Sequence, residues 1–242
     1  MIRLDRFLAN MGIGTRKEVK KLVSSGVVTV NNIPAKDCGM QIDENKDCVC
    51  VANEKIEYKP FVYIMMNKPA GVLSASEDAR GAATAADIVF DEYGHYGVSP
   101  AGRLDKDSEG FLILTNDGDY IHKVISPNKK VDKVYFCLVE KEITTADIEA
   151  FKNGITLGDG TLCLPAKLEK APQEMYEEGK IGVLVTIHEG KFHQVKRMFL
   201  ARDNKVLYLK RLKIGEVELD ESLKAGEYRE MTFEEKERII NE

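Results

Sequence analysis

The sequence predicts an α+β protein in which a small N-terminal helical domain precedes a larger domain with a mainly antiparallel mixed sheet. Residues 1–50 follow a helix, helix, strand pattern. Short apolar runs that end in turns occur at 61–66 and 111–115, and further short strands follow residue 134 with few helices between them. A chain of 242 residues has room for one small and one large domain. We predict that the boundary separates residues 1–58 from 59–242.

The N-terminal domain begins with two short amphipathic helices and a strand. Thr15 and Glu18 have the spacing of a capping box, so the second helix should begin directly after Thr15. The strand is predicted at 27–30. The first helix is predicted from apolar residues that share one helix face: Leu4, Phe7, Leu8 and Met11.

The charge of this domain differs from that of the whole chain. Residues 1–30 hold six basic residues against two acidic ones, whereas the formal net charge of the chain is -5. Most such clusters are solvated helix faces, but the local reversal of charge favours a surface that binds RNA phosphates. We predict that four side chains contribute to this surface: Arg3, Arg16, Lys17 and Lys20.

The same residues resemble the S4 RNA-binding domain. The pattern R-L-D-x-x-L begins at Arg3, and the pattern that opens with T-R begins at Thr15, with Leu22 and Val23 where isoleucine is common. The resemblance implies that the domain grips structured RNA through its shape and backbone phosphates rather than through its base sequence.

The larger domain follows a polar linker that we predict at 54–60. Its first strand is predicted at 61–66, residues 82–88 have helical composition, and a buried strand is predicted at 111–115. The polar segment 102–110, bracketed by glycines, should form a loop held against that strand. Reactive side chains tend to lie on loops of this kind.

The rest of the chain alternates between short strands and short helices. Residues 189–199 should form a turn that opens a helix with three side chains inward: Val195, Met198 and Phe199. The other predicted elements are a helix at 119–125, a strand at 134–139, a helix at 146–152, strands near 164–168, 182–188 and 205–211, and a terminal helix that Thr232 caps.

Asp105 is the main candidate for a reactive side chain. An aspartate in a loop is usually a turn former or a helix cap, so its position alone is weak support. Arg103 and Lys106 lie close in sequence, and positive charge keeps a partly desolvated carboxylate ionised. Lys196 and Arg197, at the start of a predicted helix, are a second source of positive charge.

The three segments that hold these residues resemble the motifs of the pseudouridine synthases. G-R-L-D-x-D-S-x-G-F-L-I-L-T-N-D-G surrounds Asp105, K-V-Y holds Tyr135, and E-G-K-F-H-Q-V-K-R-M-F spans 189–199. Tyr135 offers a ring on which an extruded base can stack. With the S4 pattern and the tail at 204–229, the chain resembles the RsuA branch of this family nearly end to end.

The resemblance implies that the protein isomerises one uridine of 16S ribosomal RNA, without cofactor or metal. The base is detached at N1, turned and rejoined through C5. Asp105 attacks sugar C1′ or uracil C6, or abstracts a sugar proton to give a glycal, and the sequence does not choose among these steps. Tyr135 stacks on the base, and Lys196, or Arg197 as the second candidate, pairs with Asp105. The resemblance also suggests a group of substrate-binding residues: Arg103, Arg197, His193 and Gln194.

Composition supports this interpretation. The five cysteines have no metal-ligand spacing, so we expect reduced thiols. No apolar run approaches the roughly 20 residues that span a membrane. No apolar signal segment follows Met1. We therefore expect a cytoplasmic monomer whose partner is 16S ribosomal RNA or an assembly intermediate of the small subunit, with no membrane and no metal.

Several rival interpretations stay open. A magnesium-dependent phosphatase with Asp105 and Asp107 would need the apolar strand before the acidic pair, whereas here the strand follows it. A glycosidase with Asp105 and Glu109 leaves the S4 pattern unexplained. The same chemistry on 23S ribosomal RNA is an alternative, as is a non-catalytic S4-type protein that binds RNA or assists ribosome assembly.

Overall fold

The computed structural model describes residues 1–240 and groups the chain into two compact units. The smaller unit comprises residues 1–62 and 90–97, and the larger comprises residues 63–89 and those from Val98 onward. In the part of the chain that the structure describes, no helix is both long and apolar enough to cross a lipid bilayer.

The elements of the described residues are short. The helices are α1 (Leu4–Asn10), α2 (Arg16–Ser24), α3 (Ala85–Ile88), α4 (Phe90–Tyr93), α5 (Gly118–Ile125), α6 (Thr145–Asn153), α7 (Gln194–Leu200) and α8 (Phe233–Ile240). The strands are β1 (Ile2–Arg3), β2 (Val28–Val30), β3 (Ile33–Pro34), β4 (Gln41–Ile42), β5 (Val49–Val51), β6 (Glu54–Ile56), β7 (Tyr63–Lys68), β8 (Ser99–Pro100), β9 (Glu109–Thr115), β10 (Lys133–Val139), β11 (Lys167–Lys170), β12 (Ile181–Ile187), β13 (Val206–Ile214), β14 (Val217–Glu218) and β15 (Tyr228–Glu230).

The smaller unit packs α1 and α2 against an antiparallel sheet of order β3-β2-β5-β6. The predicted capping box is confirmed, because Thr15 N–H donates to the Glu18 carboxylate at 2.8 Å and Glu18 N–H donates to Thr15 Oγ1 at 3.4 Å. The predicted first helix is confirmed too. Its apolar face is buried at three of the four predicted positions: Leu4, Phe7 and Leu8.

The prediction of a linker at 54–60 is wrong for its first three residues. Glu54–Ile56 forms β6, which pairs with β5 in a hairpin whose turn residues Ala52 and Asn53 have φ values of 49° and 70°. Such two-residue hairpin turns require positive φ at both central positions, for which glycine, asparagine and aspartate are the usual residues. Because alanine is unusual at the first of these positions, the sequence did not indicate this turn.

The larger unit is built on a mixed sheet of order β11-β12-β10-β13-β9-β7-β15, which confirms the predicted fold class. The pairs along this order are antiparallel except β9 with β13, which run parallel. Helices α5 and α8 cover one side of the sheet. The hydrophobic core between these helices and the sheet contains buried residues from both: Met65, Phe111, Ile113, Tyr120, Val124, Ile214 and Ile239.

Several observed strand boundaries differ from the predicted ones because hydrogen bonding to a neighbouring strand extends or shifts the strand. Strand β9 begins at Glu109 rather than Phe111, because Glu109 and Gly110 pair with β13. Strand β7 runs two residues further than predicted, to Lys68, which pairs with Gly110. The strand predicted near 164–168 lies at Lys167–Lys170, where it pairs with β12.

Candidate active site

A cavity of about 680 Å³ lies in the larger unit. Its walls come from the loop before β9, from β10 and β13, and from the turn at 189–194 before α7. A cavity of this volume is large enough for a nucleotide-sized ligand. It is lined by five of the seven residues predicted for catalysis and substrate binding: Arg103, Asp105, Tyr135, His193 and Gln194.

The loop that carries Asp105 is fixed by hydrogen bonds on both sides of this residue. Ser74 Oγ donates to the Leu104 carbonyl at 2.9 Å and accepts from the Leu104 N–H at 3.0 Å. The Ser108 N–H donates to the Asp105 carbonyl at 3.1 Å. These bonds hold the Asp105 backbone beside the start of β9, so its carboxylate has a fixed position in the cavity wall.

Two side chains from the start of α7 reach the Asp105 carboxylate. Lys196 Nζ lies 3.1 Å from Oδ2, and His193 Nε2 lies 3.5 Å from Oδ1. Lys196 Nζ also lies 2.6 Å from Asp107 Oδ1. Burial acts to lower the pKa of Lys196, but its hydrogen bonds to Asp107 and Asp105 outweigh burial and raise that pKa. Lys196 therefore stays protonated and forms an ion pair with Asp105.

Arg197, the second candidate for this pairing, lies elsewhere. Its Nη2 is 2.5 Å from Asp159 Oδ2, and its Nη1 donates to the Phe192 carbonyl at 3.2 Å. Successive residues of a helix project roughly 100° apart, so neighbours on α7 face different surroundings. In the structure it is thus Lys196 that contacts Asp105.

The turn before α7 is held by a buried carboxylate. Glu189 Oε1 accepts from Gln194 Nε2 at 2.7 Å and from the Leu164 N–H at 2.8 Å, and Lys191 contacts its second oxygen. Burial acts to raise the pKa of Glu189, but these hydrogen bonds more than offset it and lower that pKa. The side-chain amide of Gln194 is therefore engaged within the turn, where its Oε1 also accepts from the Lys191 N–H at 2.9 Å.

Tyr135 lies beside a buried arginine that sequence reasoning did not single out. In the register of β10 with β13, Tyr135 pairs with Arg211. Arg211 Nη1 donates to Tyr135 Oη at 3.3 Å, and its Nε donates to the Phe111 carbonyl at 2.7 Å. Arg211 appeared in the sequence as one cation in a strand, and its partner is 76 positions away, so no local pattern indicated the contact.

Sequence reasoning also assigned no role to two buried lysines near the cavity, although Lys133 is the first residue of the K-V-Y motif that holds Tyr135. Lys68 Nζ donates to the carbonyls of Pro69 and Val72 at 2.8 Å each. Lys133 Nζ donates to the carbonyls of Val124 and Val131 at 3.0 and 2.7 Å. Burial lowers the pKa of each lysine to about 8. Lys68 directly precedes Pro69, so the sequence suggested only the end of a strand at this point.

The lowered pKa of Lys133 predicts that the protein becomes more stable between pH 8 and pH 10. The folded chain loses this proton near pH 8, whereas the unfolded chain keeps it until near pH 10.5, so folding releases a proton in this window. Lys133→Met should remove a rise of on the order of 1–2 kcal/mol in the free energy of unfolding. Urea unfolding of wild type and variant across this range measures the difference.

The matched control for this measurement is Lys141→Met, which changes an exposed lysine and should keep the wild-type pH dependence. The range ends at pH 10 because burial raises the pKa of Tyr120, which lowers stability once unfolded tyrosine ionises. Equal slopes for wild type and Lys133→Met would contradict the prediction.

The four residues predicted for RNA binding fall into two groups in the smaller unit. Arg16, Lys17 and Lys20 are exposed along α2. Arg3 is held by Asp5, to which its Nε and Nη2 donate at 3.1 and 2.8 Å. The three basic residues of α2 are therefore exposed together on one helix, whereas the charge of Arg3 is paired with Asp5.

The second carboxylates that the phosphatase and glycosidase interpretations require, those of Asp107 and Glu109, each contact a protein side chain. Asp107 contacts Lys196, and Glu109 accepts from the Tyr208 hydroxyl at 2.7 Å. Within residues 1–240 there is no group of three or more histidine, cysteine, aspartate and glutamate side chains placed to hold a metal ion.

Comparison with known proteins identifies two families in the chain. The profile of the RNA pseudouridylate synthase family matches residues 62–201, and that of the S4 domain matches residues 2–48. An uncharacterized RNA pseudouridine synthase of Bacillus subtilis, YtzG, is 46% identical over 241 residues, which cover 100% of this chain and 99% of that protein.

Two further relatives extend over the full chain. Ribosomal small subunit pseudouridine synthase A of Vibrio cholerae is 42% identical over 235 residues, which cover 97% of each protein. A crystal structure of a pseudouridylate synthase is 35% identical, covers 99% of this chain and 100% of its own, and superposes with a TM-score of 0.66. The chain therefore belongs to the RNA pseudouridylate synthase family and carries an S4 domain at its N-terminus, as the sequence motifs predicted.

Proposed function

We propose that this pseudouridine synthase isomerises one uridine of 16S ribosomal RNA in the small subunit. The carboxylate of Asp105, which lines the same cavity as Tyr135 and pairs with Lys196, carries the proposed chemistry. The choice of 16S RNA rests on the 42% identity to the small-subunit enzyme of Vibrio cholerae over nearly the whole chain.

In the proposed reaction Asp105 is the catalytic residue. Its carboxylate forms a bond to the substrate or removes a sugar proton, and the fixed loop holds it in place for either step. Lys196 keeps the carboxylate oriented, and Tyr135 stacks on the extruded uracil. Arg103 and His193, which line the cavity, hold the nucleotide. Gln194 fixes the turn beside it, and Arg197, which pairs with Asp159 outside the cavity lining, shapes the surroundings of the site.

We assign the S4 domain to residues 1–58 and the catalytic domain to residues 59–242. The S4 domain binds the RNA whose uridine reacts in the cavity of the catalytic domain. Its partner is 16S ribosomal RNA or an assembly intermediate of the small subunit, bound in the cytoplasm by a monomer of this protein. Contacts of this domain are to phosphates, so its contribution to affinity depends on salt.

Mapping of pseudouridine in ribosomal RNA tests the proposed function. RNA from cells that lack the protein, and from cells complemented with wild type or Asp105→Ala, would be treated with carbodiimide and read by primer extension. We expect one stop in 16S RNA to disappear with the protein and to return only with wild type. A stop lost from 23S RNA would overturn the assigned substrate and keep the chemistry, and no lost stop in either RNA would overturn both.

The surface of α2 gives a further prediction. The triple variant Arg16→Ala, Lys17→Ala and Lys20→Ala should bind substrate RNA more weakly, because fewer counterions are released. The slope of log K against log salt should fall by about 0.7–0.9 for each lost phosphate contact. Filter binding at several salt concentrations measures both quantities.

The control for this experiment is Lys46→Ala with Lys55→Ala. These exposed lysines of the same unit each lie within 4 Å of a neighbouring carboxylate, of Asp43 and Glu57. This double variant should keep the wild-type slope. An unchanged slope in the triple variant would count against α2 as the RNA-binding surface.

A further inference from the structure

The cavity is strongly cationic in a chain that is acidic overall. Five lysine or arginine side chains line it, against the two carboxylates of Asp105 and Glu189. Both carboxylates already have a cationic partner, since Asp105 contacts Lys196 and Glu189 contacts Lys191. Among the described residues, the other four lining cations form no ion pair within 4 Å of a carboxylate, although the charge of Asp132 acts on Lys133.

Two of the lining cations are buried. Lys133 is 7% exposed and Arg211 is 2% exposed, and neither forms an ion pair with a carboxylate anywhere in residues 1–240. Both are held by neutral acceptors, which are backbone carbonyls and the Tyr135 hydroxyl. Buried charge is costly without a partner of opposite sign.

The hydrogen bonding of Arg211 is also incomplete. Its Nη2 is buried and has no hydrogen-bond partner among the described residues. The positive charge of Arg211 contributes, after burial, to the lowered pKa of Lys133, so the two cations act on each other. An anion placed between or beside them would relieve this repulsion.

Both cations lie on the two strands that hold or pair with Tyr135, and both line the same cavity. Lys133 lies two residues before Tyr135 on β10, and alternate residues of a strand project from the same face. Arg211 is the register partner of Tyr135 on β13, with its guanidinium carbon 5.9 Å from the ring centroid. A base that stacks on this ring would therefore lie in the cavity that both cations line.

We propose that Lys133 and Arg211 stabilise the negative charge that the uracil ring carries during isomerisation. This inference rests on the proposed function and adds two charge-stabilising side chains to it. It explains why two buried cations line the cavity with neutral partners: their anionic partner exists only while the base is reacting. Preorganised charge of this kind lowers the barrier because it needs no rearrangement during the reaction.

Each reaction route that Asp105 can take places a negative charge on the ring. If the C1′–N1 bond breaks, its electron pair stays on N1, and the free base is an anion delocalised over N1, O2 and O4. The anion is consumed when C5 bonds to C1′, either as the C1′–O bond to the Asp105 carboxylate breaks or by addition to the glycal double bond as Asp105 returns its proton to C2′. The C5 proton then leaves to solvent, and N1 takes up a proton. If Asp105 adds to C6 instead, the electron pair of the C5–C6 double bond moves toward C4 and O4. The proposal thus holds for each route.

Binding of free bases tests the proposal without turnover. At neutral pH 5-nitrouracil is an anion and uracil is neutral, and the two have similar shapes. Calorimetric titration of the full chain with each base gives the ratio of their affinities. We expect wild type to prefer 5-nitrouracil by about tenfold or more, which corresponds to about 1.4 kcal/mol.

The variants assign the preference to particular charges. Lys133→Met and Arg211→Met should each lose most of it, whereas Lys213→Met, which changes a lysine of β13 outside the cavity lining, should keep it. Comparing ratios cancels any effect of the nitro group on stacking. Arg211→Met also removes two structural hydrogen bonds, so wild type and Lys133→Met decide the result if that variant does not fold.

Three results would overturn the proposal. The first is equal affinity of wild type for the two bases, and the second is an unchanged preference in Lys133→Met. The third is displacement of 5-nitrouracil by inorganic phosphate from wild type but not from Lys133→Met, which would assign the charge to an RNA phosphate. Because none of these measurements needs the RNA target, an error in the assigned 16S substrate leaves the test intact.

Discussion

Asp105→Asn should lower the rate of isomerisation by at least about 10⁴-fold, as loss of a nucleophile does in other enzymes. The amide has nearly the volume of the carboxylate, so the loop bonds made by Ser74 and Ser108 should persist. RNA affinity should change by less than about threefold, because we assign the phosphate contacts to the S4 domain and not to Asp105. Tritium release from RNA with labelled uridine C5, measured with excess enzyme, reports the chemical step.

Asp107→Asn is the matched control for this variant. Asp107 also contacts Lys196, at 2.6 Å, but its side chain is 76% exposed and does not line the cavity. We expect its rate to fall by about tenfold or less, which is the scale of a lost positioning contact. The assignment of Asp105 fails if Asp105→Asn keeps a rate within tenfold of wild type, or if both variants lose activity equally.

Gly110→Ala should destabilise the larger unit by about 3 kcal/mol or more, because it combines backbone strain with overpacking. Gly110 has a φ of 102°, and a Cβ there would lie 2.2 Å from the Arg211 carbonyl oxygen and 2.7 Å from the Arg211 nitrogen. Both neighbours are backbone atoms of a paired strand, so no side-chain rotation relieves the clash. Urea unfolding measures the loss, and any folded fraction should have low activity because β9 and β13 can no longer pair.

Gly118→Ala provides the control for Gly110→Ala. Gly118 is the first residue of α5, and a Cβ there would have nothing within 4 Å. Alanine is favoured over glycine in helices, so this variant should be as stable as wild type or more stable by up to about 1 kcal/mol. Equal stability of the two variants would show that the close approach of β9 to β13 is not required.

Much of the architecture could be predicted because its signals are local. The Thr15 and Glu18 pair marked a helix start within four residues, and the apolar run at 111–115 marked a buried strand. Asp105 became a candidate from local signals too, namely its loop, the neighbouring cations and the motif around it. The RNA pseudouridylate synthase family followed from motifs that are continuous in sequence.

What the sequence did not reveal depends on residues that are far apart. Lys133 lies in the K-V-Y motif and Arg211 in the tail that resembles the family, but neither they nor Lys68 suggested a role. Only the folded sheet shows that all three are buried near one cavity. The choice between Lys196 and Arg197 depended on the direction in which α7 presents them. Strand β6 was not predicted because the turn before it contains alanine at positive φ, where glycine, asparagine or aspartate is usual.

The parallel pairing of β9 with β13 also determines how firmly the two halves of the large sheet are joined. Asp105 belongs to the half of the sheet that contains β7 and β9, whereas Tyr135 and Lys133 belong to the half that contains β10 and β12. Two register pairs join the halves, compared with seven between β10 and β12, and side-chain bonds from Arg211 and Tyr208 reinforce the joint. Twisting at this joint would change the distance between Asp105 and Tyr135. We therefore expect the short pairing of β9 with β13 to influence how precisely these two proposed active-site residues are aligned.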